Sequence, residues 1–342
     1  MARIDLAAAT QWITAAAARH GDALPAHVMD KLGVRRPAAM RLLNKLVAAQ
    51  WLTREGSQRQ PLFRAGTLKQ VVQRYPLAGL QEDLPWSRDF APFFALTPSV
   101  SRMVQHAFAE LLNNAIDHSG GDNVTVSMRQ TAMHVQLLVS DDGCGVFEHI
   151  QQAFAIEDPT LAMLELSKGK LTSQPDRHLG HGLYFTARLA DIFDLHANAS
   201  AFQYRGAERR NWHAGKPLPR RGTSIFWALA LDTPRTLDEV LRSHSVDGSG
   251  YAFDRTTVPL RLMVGPHHGL ASRAQAKRVV SRLQAFRHAE VDFSGIDEIG
   301  HGFADELFRV HSQLHPGLEL VPVGMAPRVA ALVNAIRSPA AA

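Results

Sequence analysis

The sequence contains little of what a secreted, membrane-spanning or zinc-binding protein requires. Only one of its 342 residues is cysteine, Cys144, so no internal disulfide can form. No run approaches the roughly 18 uninterrupted apolar residues of a membrane-spanning helix, and Asp5 interrupts the place of an apolar signal core. The 17 histidines show neither HExxH nor cysteine-rich metal spacing. We therefore expect a cytoplasmic protein with no membrane segment and no structural zinc.

Composition and length predict an ordinary globular protein of several domains. The chain is 46% hydrophobic and 20% charged, and its 342 residues exceed what one hydrophobic core usually organises. We expect three domains. The net charge of +5 is uneven, because residues 1–70 hold eleven Lys or Arg against four Asp or Glu, a net +7, and the remainder carries −2. This asymmetry favours an acidic partner for the N-terminal segment.

The N-terminal segment has the pattern of a winged helix-turn-helix, which we assign to residues 1–76. Residues 24–66 predict a helix, a turn centred on Gly33, a second helix, and a two-stranded wing that turns at Glu55–Ser57. An apolar stripe runs along the second helix: Met40, Leu43, Leu46 and Val47.

That stripe leaves a set of cations free to face a partner, namely Arg35, Arg36, Arg41 and Lys45. A basic helix of this kind can enter the major groove of DNA. The alternative is a solvated helix face in a domain that only packs against its neighbour or binds protein.

The rest of the chain divides at two irregular stretches. Residues 77–100 carry three prolines and lack a sustained period, so we interpret them as a connector. Residues 233–256, with glycines between polar residues, form a second connector. Between them lies a domain at 101–232. In residues 257–338 strand and helix patterns alternate, which predicts a small α/β domain.

Residues 104–119 predict an amphipathic helix with chemistry on one face. Glu110, Asn114 and Asp117 fall at i, i+4 and i+7, so three oxygen-bearing side chains project together. Mg²⁺ prefers hard oxygen ligands and keeps waters and substrate phosphates in its shell, so Asn114 is a plausible single ligand. Glu110 could orient or deprotonate a water. Taken alone, the same pattern is typical of a solvated helix face.

A carboxylate lies on the face of a predicted strand that is expected to be buried. Asp141 shares the parity of Met133, Val135, Leu137 and Val139 and precedes two glycines, Gly143 and Gly145. A buried carboxylate requires hydrogen-bond donors, which an adenine amino group would supply, and glycine lets backbone approach a flat base. The alternative is a glycine-rich turn in which Asp141 caps the turn amides.

A glycine-rich loop then precedes a helix. Gly180 and Gly182 come before a helical run, and free amides at a helix N-terminus favour phosphate. The pattern is also ordinary turn chemistry. Further on, Thr223 begins a strand and could offer its hydroxyl to the same pocket.

Four motifs in order, ELLNNAIDHS, DDGCG, HLGHGL and RGTS, resemble the N, G1, G2 and G3 boxes of the GHKL superfamily. That superfamily includes DNA gyrase, MutL-type mismatch repair proteins, histidine kinases and anti-sigma serine kinases. The resemblance implies a Bergerat-type α/β sandwich that binds ATP and Mg²⁺. The whole chain is then an α+β multidomain protein.

The resemblance also implies roles for individual residues. Asn114 would ligate Mg²⁺, Asp141 would bind the adenine amino group, Gly180 and Gly182 would lie at the phosphates, and Glu110 would act on water. The remaining pocket residues would be Asp117, His118, Gly143, Gly145, His181, Leu183 and Thr223.

Residues 146–179 would be the ATP lid, a segment that moves with nucleotide. Lys168 and Lys170 are candidate phosphate contacts there, or else solvated charges on a loop. Cys144 is interpreted as a small space-filling residue rather than a nucleophile, because no partner base is evident.

The C-terminal third, with VDFSGIDEIGHGFADELFRV, resembles the STAS-like domains related to anti-sigma-factor antagonists. Such antagonists carry a phosphorylatable serine at the start of the helix after the central strand. This chain has Gly300, His301 and Gly302 there, so phosphorylation by that route is not expected. A protein partner is expected at this domain.

Three functions remain open. The first is an ATP-responsive transcriptional or signalling regulator, the second an anti-sigma-type serine/threonine kinase, and the third a slow ATPase clamp, with a homodimer possible. A sensor histidine kinase is disfavoured, because no phosphoacceptor-histidine helix precedes the ATPase-like region. The sequence leaves open whether ATP is hydrolysed, transferred or only bound.

Overall fold

The computed structural model describes residues 5–57, 60–173, 176, 179–206, 211–248, 250–264 and 269–338. These residues fall into two compact units, and each unit combines two stretches of chain. The first unit is Met1–Gly143 with Gly222–Pro234, and the second is Cys144–Arg221 with Arg235–Ala342. Within the described residues, no helix has the length and apolarity needed to cross a membrane.

The secondary-structure elements have the following bounds. The helices are α1 Leu6–His20, α2 Leu24–Leu32, α3 Arg36–Ala48, α4 Pro98–His118, α5 Val146–Phe154, α6 Pro159–Lys168, α7 Gly182–Leu189, α8 Leu237–Arg242, α9 Arg273–Val280, α10 His301–Asp305, α11 Ser312–Leu314 and α12 Pro327–Arg337. The strands are β1 Leu52–Gly56, β2 Pro61–Ala65, β3 Lys69–Pro76, β4 Asn123–Gln130, β5 His134–Asp141, β6 Ile192–Ala197, β7 Ser200–Arg205, β8 Asn211–Ala214, β9 Thr223–Ala230, β10 Arg255–Pro259, β11 His288–Asp292 and β12 Glu319–Val323. Single π-helical turns occur at Pro85–Phe90 and Glu306–His311.

The first unit begins with three helices and a hairpin. Asp5 caps α1 by accepting a hydrogen bond from the Ala7 amide at 2.9 Å. The α2 helix ends at Gly33, whose φ of 61° is left-handed, and Pro37 lies in the first turn of α3. Strands β1 and β2 then pair antiparallel. The predicted order of helix, Gly33 turn, helix and hairpin is thus present.

The apolar face of α3 is rotated slightly from the predicted stripe. Its buried residues are Ala39, Leu42, Leu43 and Leu46, whereas Met40 and Val47 are half-buried at the edge of the cluster. The cations predicted to face outward are all exposed: Arg35, Arg36, Arg41 and Lys45.

A four-stranded antiparallel sheet forms the core of the first unit, in the order β3-β4-β5-β9. Helix α4 packs on it through the predicted apolar face, whose buried members include Val104, Phe108, Leu111, Leu112 and Ala115. In β5 the buried alternation of Val135, Leu137 and Val139 is confirmed. Met133 was expected to share it but precedes the strand and is 60% exposed.

The first strand of this sheet comes from the N-terminal segment. Strand β3 pairs with β4 along its whole length, and α1 packs against it. The hydroxyl of Thr14 on α1, fully buried, accepts a hydrogen bond from the Gln70 amide of β3 at 3.0 Å. The N-terminal helices are therefore attached to the sheet through β3.

Aromatic side chains anchor the segment that was interpreted as the first connector. Trp86, Phe90 and Phe93 are buried, and Trp86 and Phe90 both contact Phe108 of α4. The Tyr75 hydroxyl donates to the buried carboxylate of Asp89 at 2.8 Å. Burial and this bond raise the pKa of Tyr75 above its usual range.

The second unit contains two smaller sheets. Strands β6, β7 and β8 are antiparallel in that order, and β10, β11 and β12 are parallel. Helices connect the parallel strands, as parallel pairing requires. The predicted strand-helix alternation of the C-terminal third is present, and a 3₁₀ turn follows its first strand, β10.

We predict that Thr14→Val lowers the free energy of unfolding by about 1–3 kcal/mol, because the half-buried Gln70 amide loses the Thr14 hydroxyl as its hydrogen-bond acceptor. Thr10→Val is the matched control, since the Thr10 hydroxyl donates to the Ala7 carbonyl of its own helix and so does not join α1 to the sheet. Urea unfolding followed by tryptophan fluorescence measures both. Equal losses in the two variants would contradict a role for Thr14 in attaching α1 to the sheet.

Candidate nucleotide-binding site

Asp141 of the predicted site is held by hydrogen bonds from two backbone amides. It ends β5, is 5% exposed, and its Oδ1 accepts hydrogen bonds from the amides of Gly143 and Thr223, both at 3.0 Å. The Gly143 bond is the one that the turn interpretation predicts. The Thr223 bond joins residues 82 apart and comes from β9, so Asp141 is more than a local turn cap.

Two glycines make room for this arrangement. A Cβ on Gly143 would lie 2.1 Å from the Ser119 carbonyl oxygen, and one on Gly222 would lie 2.3 Å from the Asp141 carbonyl oxygen. Gly222 also has a left-handed φ of 90°. These glycines therefore allow protein backbone, rather than only a ligand, to approach closely around Asp141.

The predicted polar face of α4 is present. Glu110, Asn114, Asp117 and His118 are all half-buried on this one 21-residue helix. Within the described part of the chain, the Asn114 side chain forms no hydrogen bond, so its carbonyl oxygen is available to a ligand. The helix ends where the Ser119 hydroxyl donates to the Ala115 carbonyl at 2.6 Å.

The second unit carries the other half of the glycine motif. Gly145, with φ of 91°, immediately precedes α5. Asn198 fills the space beside it: its Nδ2 donates to the Cys144 carbonyl at 2.7 Å and to Glu148 Oε1 at 2.8 Å. The sequence analysis missed Asn198. Its sequence signal is an Asn in the short turn between β6 and β7, and in the structure its φ is 49°, a left-handed value that Asn tolerates. Cys144 is half-buried, in keeping with a space-filling role.

The predicted loop before α7 is present. We call residues 179–182 the phosphate loop, because the GHKL resemblance would place their glycines at the phosphates. Gly180 has φ of 69°, and a Cβ there would lie 2.8 Å from the backbone of Leu171. Helix α7 begins at Gly182 and has His181 at its N-cap position. Gly182 and Leu183 are half-buried.

The His181 side chain is turned toward aromatic residues of its own unit. Its ring lies edge-on to Phe253, with centroids 4.8 Å apart, and to Phe185. Burial, with the nearby charge of Lys170, lowers the pKa of His181 to about 4. The imidazole is therefore neutral at pH 7.

Lys168 fits neither interpretation, whereas a phosphate contact by Lys170 stays a prediction. Lys168 is 1% exposed and bonds to Glu165 Oε1 at 2.6 Å, so it is not a solvated charge. Its ammonium and that of Lys170 instead donate to backbone carbonyls of the C-terminal third. The lid residues 174, 175, 177 and 178 lie outside the described residues.

Thus the structure brings Asp141, Gly143 and Thr223 into direct contact, and it places Glu110, Asn114, Asp117 and His118 on one helix of the same unit. Gly145 and the phosphate loop belong to the second unit. Among the described residues, no group of three or more His, Cys, Asp or Glu side chains could hold a metal ion. A metal here would depend on few protein ligands.

Comparison with known families agrees with this geometry. Residues 99–232 match the model of the histidine kinase-, DNA gyrase B- and HSP90-like ATPases, and residues 275–327 match a STAS-like domain of unknown function. No curated protein matches the chain. The chain therefore contains a GHKL-type ATPase domain that carries Asp141 and the α4 face, and a C-terminal STAS-like domain.

Proposed function

We propose that this protein is an ATP- and Mg²⁺-binding regulator, in which nucleotide in the GHKL-type domain alters how the N-terminal segment engages DNA or how the STAS-like domain engages a protein. The observation that carries the nucleotide site is Asp141, a buried carboxylate fixed by amides from a glycine loop and from β9. A buried carboxylate is costly unless hydrogen-bond donors reach it, and the two amides both stabilise Asp141 and fix its orientation. The adenine amino group would be a further donor to this fixed acceptor.

The α4 side chains fit the metal and the water. Asn114, half-buried and without a hydrogen bond among the described residues, would hold Mg²⁺ together with phosphate oxygens and waters. Bound Mg²⁺ would neutralise phosphate charge. Glu110 lies one helical turn before Asn114, so it would orient or deprotonate a water near the phosphates.

The N-terminal segment supports DNA as a partner. Helix α3 buries one face and exposes Arg35, Arg36, Arg41 and Lys45 on the other. It follows α2 after a short Gly33 turn and precedes the β1-β2 hairpin, which is the order of a winged helix-turn-helix. The α3 cations would contact phosphates and base edges in the major groove.

The STAS-like domain favours a second candidate, an anti-sigma-type serine/threonine kinase. The substrate would be a separate protein, because Gly300 precedes α10 in this chain, where antagonists carry serine. The nearby serine, Ser294, lies just after β11 and before α10. Its amide donates to Asp292 Oδ1 at 2.9 Å, which is typical of a turn residue. The slow ATPase clamp is the third candidate.

We predict that Asp141→Asn weakens ATP binding by at least about tenfold, because an amide presents a donor where the adenine amino group needs an acceptor. Asp142→Asn is the matched control: that carboxylate is exposed and accepts from the amides of Asp122 and Asn123. Calorimetric titration with MgATP measures both. Equal MgATP affinities of the two variants would contradict a role for Asp141 in binding adenine.

We predict that Glu110→Ala retains ATP affinity but lowers phosphate release by about 10²–10⁴-fold, the usual contribution of a general base. The measurement is the release of labelled phosphate after incubation of the protein with Mg²⁺ and γ-labelled ATP. The Asp141→Ala variant is expected to lose both ATP binding and phosphate release. Wild-type protein that keeps ATP unhydrolysed would make nucleotide a ligand only and would contradict the role of Glu110. Label found on a second protein would favour the kinase.

We predict that Arg36→Ala and Arg41→Ala each weaken DNA binding at every sequence tested and reduce the slope of log affinity against log salt by about 1. Arg287→Ala, which removes an exposed cation from the STAS-like domain, serves as the control. Electrophoretic shift assays across a salt series, with and without MgATP, measure the slope. Salt-insensitive binding, or an equal effect of the control, would count against DNA as the partner.

A further inference from the structure

Within the second unit, the C-terminal third of the chain binds residues 168–170 of the predicted lid through hydrogen bonds. Lys168, the last residue of α6, donates to the carbonyls of Arg278 at 3.3 Å and Ser281 at 2.9 Å as well as to Glu165. These carbonyls lie at the C-terminal end of α9, the negative pole of that helix. An ammonium has three donors, and here all three have acceptors, which is what a buried lysine requires.

Two further contacts hold the residues that follow α6. The hydroxyl of Thr256 on β10, fully buried, donates to the Lys168 carbonyl at 2.6 Å. The Lys170 ammonium donates to the Ala285 carbonyl at 2.6 Å and lies 4.5 Å above the centre of the Phe286 ring. Main chain and side chains of residues 168–170 are therefore fastened to the C-terminal third.

The same residues hold the phosphate loop. The Lys170 amide donates to the Gly180 carbonyl at 2.9 Å, and Gly180 lies so close to Leu171 that no Cβ fits. Residues 170–171 therefore fix the position of the phosphate loop. The C-terminal third in turn fixes the position of Lys170.

Phe253 joins these parts. It is 5% exposed, and its ring meets the rings of His181, Tyr184 and Phe286 at centroid distances of 4.8, 4.7 and 5.3 Å. A Cβ on Gly169 would lie 2.6 Å from it. Phe253 lies outside both matched regions, in the stretch that the sequence presents as a connector.

We propose that Phe253 is a positioning residue for the phosphate loop, through which the STAS-like domain fixes the loop in the geometry that binds nucleotide phosphates. The proposal rests on the proposed function of the site. Fixing a loop before binding increases affinity because less freedom is lost on binding. By linkage, nucleotide phosphates must stabilise the docked STAS-like domain by the same factor.

The test is calorimetric titration of the full chain with MgATP and, separately, with adenosine. We expect Phe253→Ala to weaken MgATP binding by at least about tenfold, through lost preorganisation, and to leave adenosine affinity within about twofold, because Asp141 belongs to the other unit. Phe253→Leu, which keeps most of the volume, should restore most of the MgATP affinity. Tyr251→Ala, an exposed aromatic two residues away, is the matched control and should change neither.

Equal losses for both ligands, unchanged MgATP affinity, or tighter MgATP binding would each overturn the positioning role. Thr256→Val removes an independent attachment, and the same selective but smaller loss is expected from it if Phe253→Ala does not fold. Wild-type protein that binds neither MgATP nor adenosine would overturn the proposed function itself. That outcome differs from wild-type protein that binds both ligands while the variants bind MgATP as tightly as it does.

Discussion

The burial of one carboxylate constrains much of the candidate site. Asp141 ends a central strand at 5% exposure, so its oxygens need donors, and two amides supply them. One comes from the loop that follows and the other from β9, which fixes that loop relative to the sheet. A Cβ on Gly143 would clash with the Ser119 carbonyl and one on Gly222 with the Asp141 carbonyl, so the backbone around this carboxylate packs too closely for other residues.

In the second unit, helix α6 and the STAS-like domain contact each other directly and are not separated by a linker. Lys168 is buried with its three donors directed at acceptors, two of them at the end of α9. Burial lowers the pKa of this ammonium, and Glu165 opposes the change. Removing α9 would leave a buried charge short of acceptors, so the contact is costly to break.

The N-terminal segment is attached to the ATPase sheet by backbone pairing instead. Strand β3 pairs with β4, and β4 with β5, which ends in Asp141. Thr14 of α1 accepts from Gln70 within β3. The basic helical segment and Asp141 are therefore parts of one hydrogen-bonded sheet and its packed helices, which is consistent with the proposal that nucleotide alters the activity of the N-terminal segment.

Local pattern in the sequence determined the elements and the motif order. The apolar spacing around Phe108, the parity of Asp141 with β5, and the glycines before α7 follow from periods of 3.6 and 2 and from backbone freedom, which are properties of short segments. Only the tertiary structure decided the partners of Lys168, Phe253 and Asn198. Apart from the local pair of Lys168 and Glu165, the contacts described above join residues 33 to 113 positions apart. A local pattern contains no information about which distant carbonyl or ring will lie there.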